Sequence, residues 1–353
     1  MTRMKFSSFH LFHQHEGWSE REVYDYNLAL VEYLEEMGFD GVWLAEHHFR
    51  DYGLVNNIPS MLAYIAGRTS KIRLGTGVYI LPLHNPIQIA EEMAQLDLVS
   101  NGRVDFGAGR GYQSLEFSRF GVDLSESRGR FEEALDIITR LWTETDVTYE
   151  GKFYRCEGIT LKPKPVQRPI PAYVASTSPE TIKYCVPRGL PILGDGAATW
   201  GGLKRAAEGW KAEMAAHGKP IDGLDLTAMR SVYVAPTNEQ AREDLHKFEM
   251  GYDRTRIYNQ QSAPIDPKTG KIAKGYEFWE THYFKGGGLS DEFRWDKIEM
   301  IGNPERVVQQ VQTLQSFGFT NLMCDFGSTR PLPLAEMKKI IKLFADEVIP
   351  AFR

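Results

Sequence analysis

Short β-type runs alternate with longer helical patterns almost from end to end of this chain, and that rhythm constrains its fold more than any other feature. Strands joined by helices pair in parallel, because a right-handed helical crossover brings the chain back in the same direction. Eight strands can be read, at Lys5 to Leu11, Gly41 to Ala45, Lys71 to Leu81, Arg103 to Ala108, Ala172 to Ala175, Pro191 to Leu193, Leu226 to Ala235 and Asn321 to Phe326. Helices are predicted from about Glu20 to Met37, with Ser19 as N-cap and Gly38 as stop, from Ile87 to Val99 behind Asn85 and Pro86, and from Ser125 to Thr143. Eight such units predict an α/β fold of the (β/α)₈ TIM-barrel type. The 353 residues fit a single barrel domain over 1–353 that carries insertions.

Two stretches interrupt the rhythm. Short polar strands at Val147 to Leu161 lead into a stiff connector containing Pro163, Pro165, Pro169 and Pro171. Thr255 to Glu299, rich in glycine, aromatics and charge, is too long for an ordinary connection, and a mobile lid at 255–299 is the expectation.

Net charge of −6 gives no electrostatic reason to expect nucleic acid or an anionic membrane as a partner. Cys156, Cys185 and Cys324 are odd in number and far apart, which supports neither a disulfide framework nor a thiolate metal cluster. Met1 to Phe12 lacks the apolar run of a signal peptide, so a cytoplasmic protein is expected.

In such a barrel the chemistry gathers where strands end. Strand two ends in Glu46-His47-His48-Phe49, which places at least one imidazole over the mouth. Strand four ends in Gly107-Ala108-Gly109-Arg110-Gly111-Tyr112, where a guanidinium between glycines can grip phosphate in a fork. It is not a Gly-x-Gly-x-x-Gly nucleotide fingerprint, because Tyr112 stands where the last glycine would be needed. Strand five ends in Ser176-Thr177-Ser178-Pro179 at a helix start, a turn receptive to anions. Gly75 and Gly77 inside strand three mark a bulge or a close approach. Each feature taken singly is also compatible with ordinary capping or packing.

Taken in order, Phe39 through Phe49, Leu74-Gly75-Thr76-Gly77 to Leu81-Pro82, Ser100-Asn101-Gly102-Arg103 into Arg110-Gly111, and the Gly302-Asn303-Pro304-Glu305 turn resemble the bacterial luciferase-like, flavin-dependent monooxygenases over nearly the whole chain. The resemblance implies a two-component monooxygenase that receives reduced FMN from a separate NAD(P)H:flavin reductase. With O₂ it would oxygenate a small organic substrate through a flavin C4a-(hydro)peroxide, the protein supplying protection and proton management. It implies His47 as catalytic acid/base, with His48 beside it, and Arg110 and Gly111 with Ser176, Thr177 and Ser178 as the phosphate cradle. It also implies a non-prolyl cis peptide at Gly77-Val78 beneath the flavin ring, Lys285 in the lid and a homodimer; His10 and His13, at the end of strand one, are expected toward the substrate, and no metal is expected.

Gly109 stands where the luciferase α subunit has cysteine, and Ser176-Thr177 where it has a Glu-Ser pair. His10, His13 and His15 also depart from the luciferase pattern, which argues against a long-chain aldehyde. The same fold can instead use the deazaflavin F420 for hydride transfer, or serve as a non-catalytic flavin binder. A metal-dependent barrel hydrolase would use His13-Gln14-His15 and Asp325, but it needs histidines after strands five and six. None occurs between His84 and His217.

Overall fold

The computed structural model describes residues 3–175, 179–194, 196, 198–247, 263–266, 269–274, 276, 291–327 and 332–353. The barrel strands are β1 (Lys5–His10), β2 (Gly41–Leu44), β3 (Arg73–Thr76) with its continuation β4 (Tyr79–Ile80), β5 (Val104–Gly109), β8 (Ala172–Ala175), β9 (Ile192–Gly194), β10 (Thr227–Val234) and β12 (Asn321–Asp325). All pair in parallel in the order β1-β2-β3-β5-β8-β9-β10-β12, and β12 returns to β1, which closes an eight-stranded barrel. The structure thus bears out the TIM-barrel expectation. Strand three is broken where the Gly77-Val78 peptide is cis, so β3 and β4 hand pairing to β5 in turn.

Polar interruptions take defined forms. β6 (Val147–Glu150) and β7 (Arg155–Ile159) make an antiparallel hairpin outside the barrel. Its turn is held by Glu133, whose carboxylate accepts the backbone N–H groups of Lys152, Phe153 and Tyr154.

Local sequence explains the helix ends. α1 (Glu20–Glu36) starts in a capping box, in which the Ser19 side chain accepts from Glu22 N–H and the Glu22 carboxylate accepts from Ser19 N–H. Its buried face, Val23, Leu30, Val31 and Leu34, follows the helical period and covers β1. α2 (Ile58–Ala66) is capped by Asn57, and α3 (Pro86–Val99) by Asn85 with Pro86 in the first turn. α4 (Ser114–Arg119) and α5 (Ser127–Thr143) follow β5. After them come α6 (Pro179–Cys185), α7 (Trp200–Ala216) and α8 (Asn238–Lys247). α9 (Asp291–Lys297), β11 (Met300–Gly302), α10 (Pro304–Phe317) and α11 (Leu334–Glu347) complete the chain. None of the described helices is long and apolar enough to cross a membrane.

Alternation along the strands sorts side chains to two places. Phe6 points outward and meets Phe344 of α11 edge-on at 5.5 Å, while Phe9 joins Trp43, Tyr173, Leu193 and Met323 in the barrel interior. The interior is tight around two glycines. A Cβ on Gly75 would lie 2.3 Å from the Trp43 ring, and one on Gly107 only 2.1 Å from the Thr76 carbonyl oxygen. Because that oxygen is backbone, Gly107→Ala is expected to lower unfolding free energy by about 3 kcal/mol, the upper end of overpacking costs. An unchanged midpoint in urea titration would contradict this reading.

Parts of the segment expected to be a lid are among the described residues. Residues 291–297 are helical, and Trp295 is buried between the guanidinium groups of Arg242 and Arg306, whose carbon centres lie 4.2 and 4.5 Å from the ring. Ala263, Ala273 and Tyr276 are also buried, packed with Ile80, Leu83, Phe117 and Leu124 beside the barrel mouth. These parts are packed in place because their apolar side chains leave water there. Lys285 and most of the remaining lid lie outside the described residues.

Candidate active site

The loops after β1 and β2 are joined by backbone hydrogen bonds, Leu54 N–H to the Phe12 carbonyl at 3.1 Å and Gln14 N–H to the Asp51 carbonyl at 2.8 Å. This clasp places Glu46, His47 and His48, all buried, at the end of β2. His47 Nδ1 lies 2.8 Å from Gln113 Nε2 and 3.2 Å from Glu116 Oε1, and its ring meets Tyr52 edge-on at 4.8 Å. One ring nitrogen cannot accept from the amide and donate to the carboxylate at once. Nδ1 accepts from Gln113 when it carries no proton and donates to Glu116 when it does, so both states have a partner and the second ring nitrogen can exchange a proton. Glu116 Oε1 also accepts the His48 N–H at 2.9 Å, while its fully buried Oε2 has no partner among the described residues.

His48 takes a different position from His47. Its Nε2 lies 2.9 Å from Glu46 Oε1, the atom that also pairs with His84 Nε2 at 2.6 Å, and Glu46 Oε2 accepts the Ile80 N–H at 2.9 Å. Burial opposes the Glu46 charge, but hydrogen bonds from His48, His84 and Ile80 outweigh it and hold the carboxyl below its usual range. Burial likewise opposes the His84 charge, and Glu46 outweighs it, so this imidazole binds its proton more tightly than usual. The three donor atoms lie within 4.8 Å of one another, a grouping a metal ion can use, yet the two Glu46 contacts have hydrogen-bond lengths. The carboxylate thereby ties the end of β2 to β4, just past the cis peptide.

Arg110 follows β5, and its central guanidinium carbon lies over Tyr276, 3.9 Å from the ring centre. The Tyr276 hydroxyl donates to the Gly111 carbonyl at 2.7 Å, which fixes the turn. Gly111 has a left-handed φ of 72°, and a Cβ there would lie 2.6 Å from Ile80. The turn therefore needs glycine, and it carries the chain from Arg110 into Gln113 and Glu116, the partners of His47. A single segment thus holds the guanidinium and sets the histidine. Between them, Gly77 and Val78 are partly exposed in otherwise buried surroundings. A Cβ on Gly109 would lie 2.2 Å from Val78 Cγ2, so glycine at 109 makes room for the Val78 side chain.

One expectation from the sequence changes. His10 does not face the mouth: it shares the outward face of β1 with Phe6 and Ser8, fully buried against α1. Strand alternation sets that direction, and it removes His10 from the group facing the barrel mouth. His13 does stand at the mouth, with Nδ1 3.2 Å from the Tyr52 carbonyl oxygen. Ser176, Thr177 and Ser178 lie outside the described residues.

Comparison with known proteins agrees with this architecture. The profile of the luciferase-like monooxygenase family matches residues 4–321. The alkanal monooxygenase alpha chain of Photorhabdus luminescens is 29% identical over 98% of this chain and 96% of its own. Limonene 1,2-monooxygenase of Rhodococcus erythropolis is 32% identical over 92% and 81%. The oxygenase component of the flavin-dependent trigonelline monooxygenase of Acinetobacter baylyi is 25% identical over 99% and 96%. Among solved structures, monooxygenase RslO1 of Streptomyces bottropensis has a TM-score of 0.82 at 24% identity, covering 99% of this chain and 100% of that one. The oxygenating constituent of 3,6-diketocamphane monooxygenase from Pseudomonas putida, in complex with FMN, has a TM-score of 0.78 at 18% identity, covering 99% of each chain. An F420-dependent secondary alcohol dehydrogenase has a TM-score of 0.73 at 18% identity, also covering 99% of each, so the fold itself is shared across both cofactors. With the profile matched over nearly its whole length, the chain belongs to the luciferase-like monooxygenase family.

Proposed function

We propose that this chain is the oxygenase component of a two-component monooxygenase, taking reduced FMN from a separate NAD(P)H-dependent flavin reductase. The observation that carries the reading is His47 held at Nδ1 between Gln113 and Glu116, on the segment that also bears Arg110. The residues present fit the cofactor: a guanidinium with its donor edges in one plane suits a phosphate, and the partly exposed Gly77-Val78 peptide can underlie a flat ring. Reduced FMN supplies the two electrons with which O₂ gives one oxygen atom to the substrate and the other to water. Arg110 would hold the phosphate, with Ser176 to Ser178 proposed to complete the cradle. Gln113 and Glu116 would orient His47, and His47 would give and take the proton that oxygen transfer requires.

The experiment is an anaerobic titration with reduced FMN and with reduced F420, followed by rapid mixing with oxygen. Tighter binding of reduced FMN, and an absorbance transient distinct from reduced and oxidised flavin, are expected. Preference for F420 with no oxygen-dependent transient would replace this reading with hydride transfer. A homodimer is part of the proposal. Exposed Tyr64 on α2 with Leu98 and Val99 on α3 offers apolar surface for it, and a sedimentation mass of a single chain would remove it.

A further inference from the structure

Part of the chain between α8 and α9 is stapled to the turn that carries Arg110. Residues 263–266 and 271–273 pair with each other, with Ile265 bridged antiparallel to Ile272 and Ala273 N–H donating to the Pro264 carbonyl at 2.7 Å. The Ser114 hydroxyl lies 2.9 and 3.0 Å from the carbonyls of Ala263 and Ile265, which holds this pairing against the start of α4. A few residues further on, Tyr276 buries its side chain beside the same turn.

Tyr276 meets the turn in two ways. Its single hydroxyl proton goes to the Gly111 carbonyl at 2.7 Å, which can only accept, so the Ser127 hydroxyl is the donor to the phenol oxygen across 3.1 Å. Burial pushes the phenol pKa up, and the hydroxyl stays protonated as this arrangement requires. The hydroxyl thus fixes where the ring stands relative to the turn. The ring in turn faces Arg110, whose guanidinium carbon lies over it, 3.9 Å from the ring centre. A cation is attracted to an aromatic face by the ring's quadrupole, more strongly where water is excluded, and Tyr276 is only 2% exposed.

The kind of contact matters as much as its strength. Arg73 is held by Asp105 through two of its N–H groups, at 2.7 Å each, and those donors are thereby used. Contact through a ring face uses none of the N–H donors. It also limits the rotamers of a long side chain that a ligand would otherwise have to order on binding. We infer that Tyr276 is a positioning residue for Arg110: its ring fixes the guanidinium where the flavin phosphate is to bind, and so sets the preference of this chain for FMN over riboflavin. Tyr276 acts through Arg110 and need not touch the cofactor. This inference rests on the FMN reading of the Arg110 turn.

The test is a pair of anaerobic titrations, with reduced FMN and with reduced riboflavin, followed by tryptophan fluorescence in the wild-type chain, Tyr276→Leu and Tyr276→Phe. The quantity read is the ratio of the two affinities within each chain. A barrel mouth loosened by substitution weakens both ligands alike and does not move that ratio. Tyr276→Leu is expected to lower the FMN-over-riboflavin ratio about fivefold, the change that roughly 1 kcal/mol of cation–π contact produces. Tyr276→Phe keeps the ring and loses only the hydroxyl, and is expected to hold the wild-type ratio within about twofold. Added to Arg110→Ala, Tyr276→Leu is expected to change the ratio no further, since the ring then has no guanidinium to hold. An unchanged ratio in Tyr276→Leu, an equal loss in Tyr276→Phe, or a further loss beside Arg110→Ala would overturn the inference and leave the FMN reading standing. A wild-type chain with no preference for FMN would remove both, so the two failures are told apart.

Discussion

Replacing His47 with alanine is expected to leave flavin oxidation running while product formation falls by about 10²–10⁴-fold, the usual contribution of a positioned acid/base group. Gln113 and Glu116 both address Nδ1, so the ring's other nitrogen is the one that can exchange protons with a bound molecule. Without that exchange, reduced flavin still reacts with oxygen, and its electrons leave as hydrogen peroxide. Peroxide released per flavin oxidised should therefore rise toward one in His47→Ala. Glu116→Gln, which keeps the shape but removes the charge that receives the Nδ1 proton, should fall between wild type and His47→Ala. Wild-type product yield in His47→Ala would remove the histidine from the mechanism.

Strand ends carried most of the readable information about this site. The barrel and its eight strands follow from alternation of strand and helix, a local pattern that survives folding. His47 and Arg110 could be picked out because both stand directly after a strand. Glu116 could not: it lies in a six-residue helix beside the apolar Phe117, and nothing in that short pattern says its carboxylate turns inward to His47. His84 was within reach of the same strand-end logic, following β4 by a single 3₁₀ turn, yet its pairing with Glu46 is a contact between distant segments. His10 failed for the opposite reason. It ends β1, but parity with Phe6 and Ser8 sends it outward, and parity can be assigned only once it is known which face of the strand is the interior. Tyr276 was hidden inside a stretch whose glycine and charge suggested a lid, while a single buried aromatic ties it to the Arg110 turn.

That tie gives the second large effect its specificity. Arg110→Ala is expected to weaken binding of reduced FMN by about ten- to a hundredfold, matching the loss of roughly 1.5–3 kcal/mol for a hydrogen bond to a charged group. Riboflavin, which lacks the phosphate, should bind the variant and the wild type within about twofold, because the ring bed proposed at Gly77-Val78 would not include the guanidinium. Arg110→Lys makes the geometric part of the argument separable. It keeps the charge but loses both the fork and the guanidinium's contact with the Tyr276 ring, so it should recover part of the FMN affinity. The same turn orients Gln113 and Glu116. If Arg110 acted mainly as a brace for that turn through Tyr276, both ligands would weaken together, and His47-dependent peroxide leakage would rise with them. Weakening of FMN alone, with coupling retained at saturating flavin, assigns Arg110 to the phosphate and leaves the turn to glycine and the Tyr276 hydroxyl.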